Sequence, residues 1–220
     1  MAYNQVLKHD LVFDIETLAL PVSQSDIDKA MNEYKPPKTY KLPEAIAKHK
    51  AKFRLEIADK LSKEKAFSLG GKRMISAAFG RIDYETEKVV DIQSWASEDL
   101  SVVTKGIAQY VDSFKNFRLI GFNSRQFDLP EILKSFRLTG VRPNYRASKW
   151  DHVDLMDTFK KGGLKETCRI FGIETIGNSG DQVAEMYEQG RFEDIQAYNE
   201  DDVRITGELM LAASSLVAFY

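Results

Sequence analysis

The chain has 220 residues, 43% hydrophobic and 29% charged, which suits one globular domain or one domain with a large insertion. Its single cysteine, Cys168, excludes an intrachain disulfide; no Cys/His group has zinc spacing, and no apolar run approaches the roughly 18 residues of a membrane span. Met1 to Asp10 lacks the apolar core of a signal peptide, so a soluble, cytoplasmic protein is expected, and the net charge of −2 by itself points to neither a nucleic-acid nor a membrane partner.

In chain order, Leu11-Val12-Phe13-Asp14-Ile15-Glu16 is a β-branched and aromatic run that predicts a buried strand. Pro21 to Lys72 follows with a different character. It holds eleven Lys/Arg from Lys35 to Lys72 against five Asp/Glu from Glu33 to Glu64. Ile46, Phe53, Ile57 and Leu61 fall on one helical face, so a long basic amphipathic helix is expected, inserted between the first two strands and left at Gly70-Gly71. Arg73 to Asp83 and Lys88 to Trp95 predict a hairpin across the polar link Tyr84 to Glu87.

Glu98 to Phe114 has the helical period, Phe117 to Phe122 reads as a strand, and Leu129 to Leu138 as a helix closed by Gly140. Lys149 to Leu155 is a fifth strand. Leu164 to Phe171 is a short helix closed by Gly172, and Asp181 to Gln189 and Asp194 to Val217 are the last helices. Three strands, a helix, a strand, a helix, a strand and then helices make an α/β layer with a mixed sheet, an order that matches the ribonuclease H-like fold.

Three acidic motifs carry chemistry. Asp14 and Glu16, at i and i+2 on a strand, point to one face, where a divalent cation would relieve their repulsion. Asn123 to Asp128 leaves a strand and opens a helix, so Asp128 is either an N-cap, as Pro130 favours, or a ligand, or both. Tyr198 and Asp202 stand at i and i+4 on a late helix; Glu200 and Asp201 between them read as a solvated face.

Taken together these motifs resemble the Exo I, Exo II and Exo III motifs of the DnaQ-like DEDD exonucleases. Asp14-Ile15-Glu16-Thr17, Asn123 to Asp128 in its N-x-x-x-F-D form, and Tyr198 to Asp202 in its Y-x-x-x-D form match in order. The pattern is most similar to the proofreading exonuclease domain of family B DNA polymerases and to stand-alone predicted exonucleases related to it. The histidine subclass places His five residues before the last Asp; here that residue is Ala197, so the resemblance is to the tyrosine subclass.

The resemblance implies a ribonuclease H-like three-layer fold with a five-stranded mixed sheet, and 3′–5′ exonuclease activity on single-stranded nucleic acid, DNA favoured. It implies two divalent ions, Mg²⁺ or Mn²⁺, about 3.5–4 Å apart. Asp14 would bridge both, Glu16 and Asp202 would complete the site that activates water, Asp128 would help hold the second ion, and Tyr198 would orient the attacking water. Thr17, Leu18, Asn123 and Phe127 match positions that contact the substrate; for Leu18 and Phe127 a place in the core is the competing expectation. Asp154 and His152, on the fifth strand, are expected to be structural. The basic insertion either tracks a phosphate backbone or is a solvated helix packing one apolar stripe. The rival readings are an exoribonuclease and an inactive nucleic-acid-binding module of the same fold. The 220 residues hold no polymerase module, so any proofreading would act in trans.

Overall fold

The run predicted as the first strand becomes β1 (His9–Ala19), the middle strand of a five-stranded sheet. The structure is a computed structural model that describes residues 9–144, 150–160, 162–176 and 180–217. The other strands are β2 (Lys72–Asp83), β3 (Lys88–Ala96), β4 (Phe117–Gly121) and β5 (Asp151–Asp154), in the order β3-β2-β1-β4-β5. β1 pairs parallel with β4 and β4 with β5, while β2 and β3 form the antiparallel hairpin, so the sheet is mixed.

Alternation along β1 divides the core. Leu11, Phe13 and Ile15 join Met74, Phe79 and Trp150 on one face, covered by α3 (Leu100–Asp112) and α4 (Asp128–Thr139). Val12 joins Ala78 and Ile120 on the other, covered by α6 (Leu164–Ile170) and α8 (Phe192–Val217) through Cys168, Val203, Ile205 and Leu209. This is a three-layer α/β/α arrangement. Burial on both faces explains why β1 reads as a nearly continuous apolar run. The period of two then assigns Asp14 and Glu16 to the face of Val12, which is the face that α8 covers.

Two glycines allow the close approaches that shape this region. A Cβ on Gly207 would sit 2.1 Å from Val89 Cγ2, so only glycine lets α8 lie so low on β3. A Cβ on Gly121 would meet Ser124 Oγ at 2.3 Å, where the chain leaves β4 and folds back. At the opposite end of β1, the buried Asp10 carboxylate takes both arms of Arg118 at 2.7 and 2.6 Å and a hydrogen bond from the Tyr84 hydroxyl, tying β1, β4 and the hairpin together.

Residues 18–73 form a second unit between β1 and β2 in chain order. It contains α1 (Gln24–Asn32), which the sequence reading missed, and α2 (Pro43–Phe67), the expected long helix. α1 starts in a capping box between Ser23 and Asp26, and Asp26 also pairs with Lys65 of α2 at 2.8 Å. Of the expected apolar stripe, Ile57 is buried and Ile46, Phe53 and Leu61 are half-buried.

Other boundaries moved for identifiable reasons. The fifth strand stops at Asp154 because its carboxylate accepts the Met156 N–H and caps α5 (Leu155–Phe159); Lys149, where that strand was expected to begin, lies outside the described residues. The helix expected over 181–189 is a 3₁₀ turn, Gly180–Gln182, followed by α7 (Val183–Glu188). Gly140 ends α4 in the left-handed region at φ 72, as expected. No helix among the described residues is long and apolar enough to cross a membrane.

Candidate active site

β1 and β4 share their last parallel pair at Val12 and Ile120, so Asp14 and Glu16 stand just beyond it, toward the carboxyl ends of both strands. Open α/β sheets bind their ligands at that edge. There α8 brings Asp202 to the two β1 carboxylates. Asp14, Glu16 and Asp202 each offer an oxygen, and all three oxygens lie within 4.8 Å of one another.

Asp128 is not the N-cap of α4. That position is Phe127, and Asp128 is the first helical residue. Its buried carboxylate accepts the Ile15 N–H of β1 at 3.3 Å, which holds it against the strand between the two acids. Its charge raises the pKa of both Asp14 and Glu16.

Two residues complete the site that sequence reasoning gave no role. Asn199 is fully buried; its Nδ2 donates to Asp14 Oδ2 at 2.6 Å, and its Oδ1 accepts from Ser76 Oγ at 3.0 Å. It fixes the Asp14 carboxylate by hydrogen bonding to its charged form. It stood inside the third motif, where it was only a spacer. Lys165 of α6 places Nζ 3.9 Å from Asp202 Oδ1 and 4.4 Å from the centroid of the Tyr198 ring. In the sequence it was one more lysine on a short helix, with no spacing to mark it.

The acidic set is held against strong repulsion. Burial first, then the Asp128, Asp202 and Glu16 charges, push Asp14 well above the usual carboxylate range. Burial, then Asp202 and Asp128, push Glu16 up to about 8, with Lys165 opposing. Burial raises Asp202 to about 6, while Lys165 and the hydrogen bond from Tyr198 pull it down. Burial and the three neighbouring carboxylates push the Tyr198 phenol upward, so it stays protonated. Asp202 Oδ1 is buried with no hydrogen-bond partner among the described residues. Crowded carboxylates with one orphaned oxygen fit a hard divalent cation, which prefers such ligands.

Asp201 and Glu200 correct the expectation of a solvated face. Asp201 is buried, accepts the Ile176 N–H at 2.9 Å and pairs with both arms of Arg204 at 3.0 and 2.6 Å. Glu200 is half-buried and accepts from Ser94 Oγ at 2.5 Å.

The Asn123 to Asp128 loop is clamped from β5. Asp154 accepts the Asn123 and Arg125 N–H groups, each at 2.8 Å, while Ser124 Oγ lies 2.8 Å from His152 Nε2. Asn123 sits at φ 57, a left-handed conformation that asparagine tolerates. Thr17, Leu18, Asn123 and Phe127 are all half-buried, so neither Leu18 nor Phe127 is sealed in the core.

A mixed five-stranded sheet between helical layers, with carboxylates of its central strand and last helix gathered past the last parallel pair of β1 and β4, is the ribonuclease H-like class of fold. Within that class, the chain belongs to the family described as "Predicted 3'-5' exonuclease related to the exonuclease domain of PolB", which it matches over residues 68–212. The match takes in Asp128, Tyr198 and Asp202; β1, with Asp14 and Glu16, precedes it.

No curated protein sequence is significantly similar to it. Among solved structures, it resembles the family B DNA polymerase of the hyperthermophilic archaeon Pyrobaculum calidifontis at TM-score 0.60 and 18% identity, over 97% of this chain and 25% of the polymerase. E. coli exonuclease I in complex with a dT13 oligonucleotide overlays at TM-score 0.46 and 14% identity, over 96% of this chain and 41% of that one. The chain thus spans a quarter of the polymerase and about two fifths of exonuclease I.

Proposed function

We propose that this protein is a metal-dependent 3′–5′ exonuclease of the tyrosine DEDD subclass, acting in the cytoplasm on the 3′ end of single-stranded DNA. The observation that carries the reading is the convergence of Asp14, Glu16 and Asp202, with Tyr198 one helical turn before Asp202 on α8. The 18–73 unit is an insertion in this single exonuclease domain. Two divalent cations, Mg²⁺ or Mn²⁺, held by Asp14, Glu16, Asp128 and Asp202, would supply transition-state charge stabilisation and a water deprotonated near neutral pH.

Each residue has a defined task. Asn199 holds Asp14 in one orientation, and Ile15 N–H does the same for Asp128. Lys165 keeps Asp202 ionised despite its burial. Tyr198, kept protonated, is a poor base; its hydroxyl orients the attacking water. Thr17 and Leu18 contact the terminal nucleotide, and Asn123 and Phe127 the strand behind it. Water oxygen bonds to phosphorus, the P–O3′ bond breaks, the 3′ oxygen takes a proton, and a 5′-mononucleotide leaves.

The test is a 5′-labelled single-stranded DNA with Mg²⁺ or Mn²⁺, beside a covalently closed circle of the same sequence. A ladder shortening from the 3′ end with an intact circle is expected; cleavage of the circle would refute the reading. Tyr198→Phe removes one hydroxyl from a positioned water. It is expected to lower kcat about ten- to a hundredfold with little change in KM, read by steady-state kinetics. An unchanged kcat would remove Tyr198 from the mechanism.

A further inference from the structure

The 18–73 unit has a surface that its own packing does not account for. Residues 35–54 carry seven Lys/Arg and one acid, Glu44. Further along α2 the acids have lysine partners, in the pairs Lys52–Glu56, Lys63–Asp59 and Lys60–Glu64. Lys35, Lys38, Lys41, Lys48, Lys50 and Arg54 are exposed and make no ion pair among the described residues.

Aromatic rings gather beside these cations. The Tyr34 hydroxyl lies 2.6 Å from His49 Nδ1, Tyr34 and Phe53 have ring centroids 5.0 Å apart, and Tyr40 and His49 4.9 Å. Tyr40 remains 40% exposed. A cleft of about 350 Å³ opens here, lined by the rings of Tyr34, His49 and Phe53, by Ile57 and Leu61, and by the charged Glu33, Lys35, Lys60 and Glu64. A cluster serving only to hold two helices together would bury its rings. Free cations around accessible rings are what a single strand requires, since its phosphates need neutralising and its bases stack on aromatic faces. An acidic protein surface would use the cations and leave the rings idle, and a duplex keeps its bases stacked inside.

We propose that the 18–73 unit is a second binding surface for single-stranded DNA, with bases stacking on Tyr40 and its neighbouring rings and phosphates held by the unpaired cations. The choice of DNA rests on the exonuclease reading above; the affinity of the surface for a strand does not.

The test uses the full chain in EDTA, where hydrolysis is stopped, and fluorescence anisotropy of 5′-labelled oligo(dT) and oligo(U) over a salt series. The triple variant Lys48→Gln, Lys50→Gln, Arg54→Gln changes only exposed positions and spares the fold, which far-UV circular dichroism checks. Its slope of log K against log salt is expected to shrink by about 2, with affinity at low salt down about tenfold or more. Tyr40→Ala is expected to lose about tenfold and Tyr40→Phe to retain binding, because a phenyl ring still stacks. Unchanged affinity and slope in the triple variant would overturn the surface, and tighter binding of oligo(U) would overturn the choice of DNA. A chain that never shortens DNA yet shows these losses would keep the surface and refute the exonuclease reading.

Discussion

Asp14→Asn is expected to slow 3′ shortening by on the order of a thousandfold or more, while leaving the protein folded. The amide oxygen of asparagine can still accept the Asn199 hydrogen bond that Asp14 receives at 2.6 Å. What disappears is a charge that Asp128, Asp202 and Glu16 all oppose. On the proposed mechanism, loss of that ligand removes several kcal/mol of metal-borne transition-state stabilisation, and each 1.36 kcal/mol is about tenfold in rate. Single-turnover assays on 5′-labelled DNA at saturating Mg²⁺, with near-ultraviolet circular dichroism to confirm the fold, read the effect directly. A variant retaining a tenth of the wild-type rate would mean that Asp14 holds no catalytic ion.

The same crowding predicts an unusual dependence of stability on pH when metal is withheld. Asp14, Glu16 and Asp202 all have pKa values raised in the folded protein, Glu16 to about 8 and Asp202 to about 6. A raised pKa means that the folded state binds protons more tightly than the unfolded one. The associated stability is therefore complete below the ordinary carboxylate range and is lost as pH rises through these values. In EDTA, Tm should fall between about pH 5 and about pH 8, by a stability difference on the order of a few kcal/mol. Added Mg²⁺ or Mn²⁺ should restore Tm most at the upper end, where its ligands are ionised. Asp14→Asn should flatten the EDTA profile, because one repelling charge is gone. Differential scanning calorimetry with and without chelator decides it; a metal-free Tm that is level or rises over this interval would show that the carboxylates are not under this strain.

The parts of the site legible in the sequence are those governed by local periodicity. Asp14 and Glu16 share a face because side chains alternate along a strand, and Tyr198 and Asp202 share a face because they stand four apart on a helix. Both relations survive any packing of the elements around them. The hairpin across Tyr84 to Glu87 and the stop of α4 at Gly140 were legible for the same reason, since turn and cap chemistry lie in neighbouring residues. α1 and α5 were not. α1 is held by Lys65, distant in sequence, and α5 spans only Leu155–Phe159.

Tertiary structure decided what no local spacing encodes. Asn199 meets Asp14 across 185 positions of chain, and Ile15 meets Asp128 across 113. Lys165 gained its place only when α6 and α8 packed on the same sheet face. Asp201 looked like part of a solvated acidic run, but the opposite side of α8 turned it inward to Ile176 and Arg204. The sequence by itself determined which carboxylates face together within each element. Only the fold decided which residues hold and neutralise them, because those partners are selected by three-dimensional proximity and by the burial that makes an unpaired charge costly.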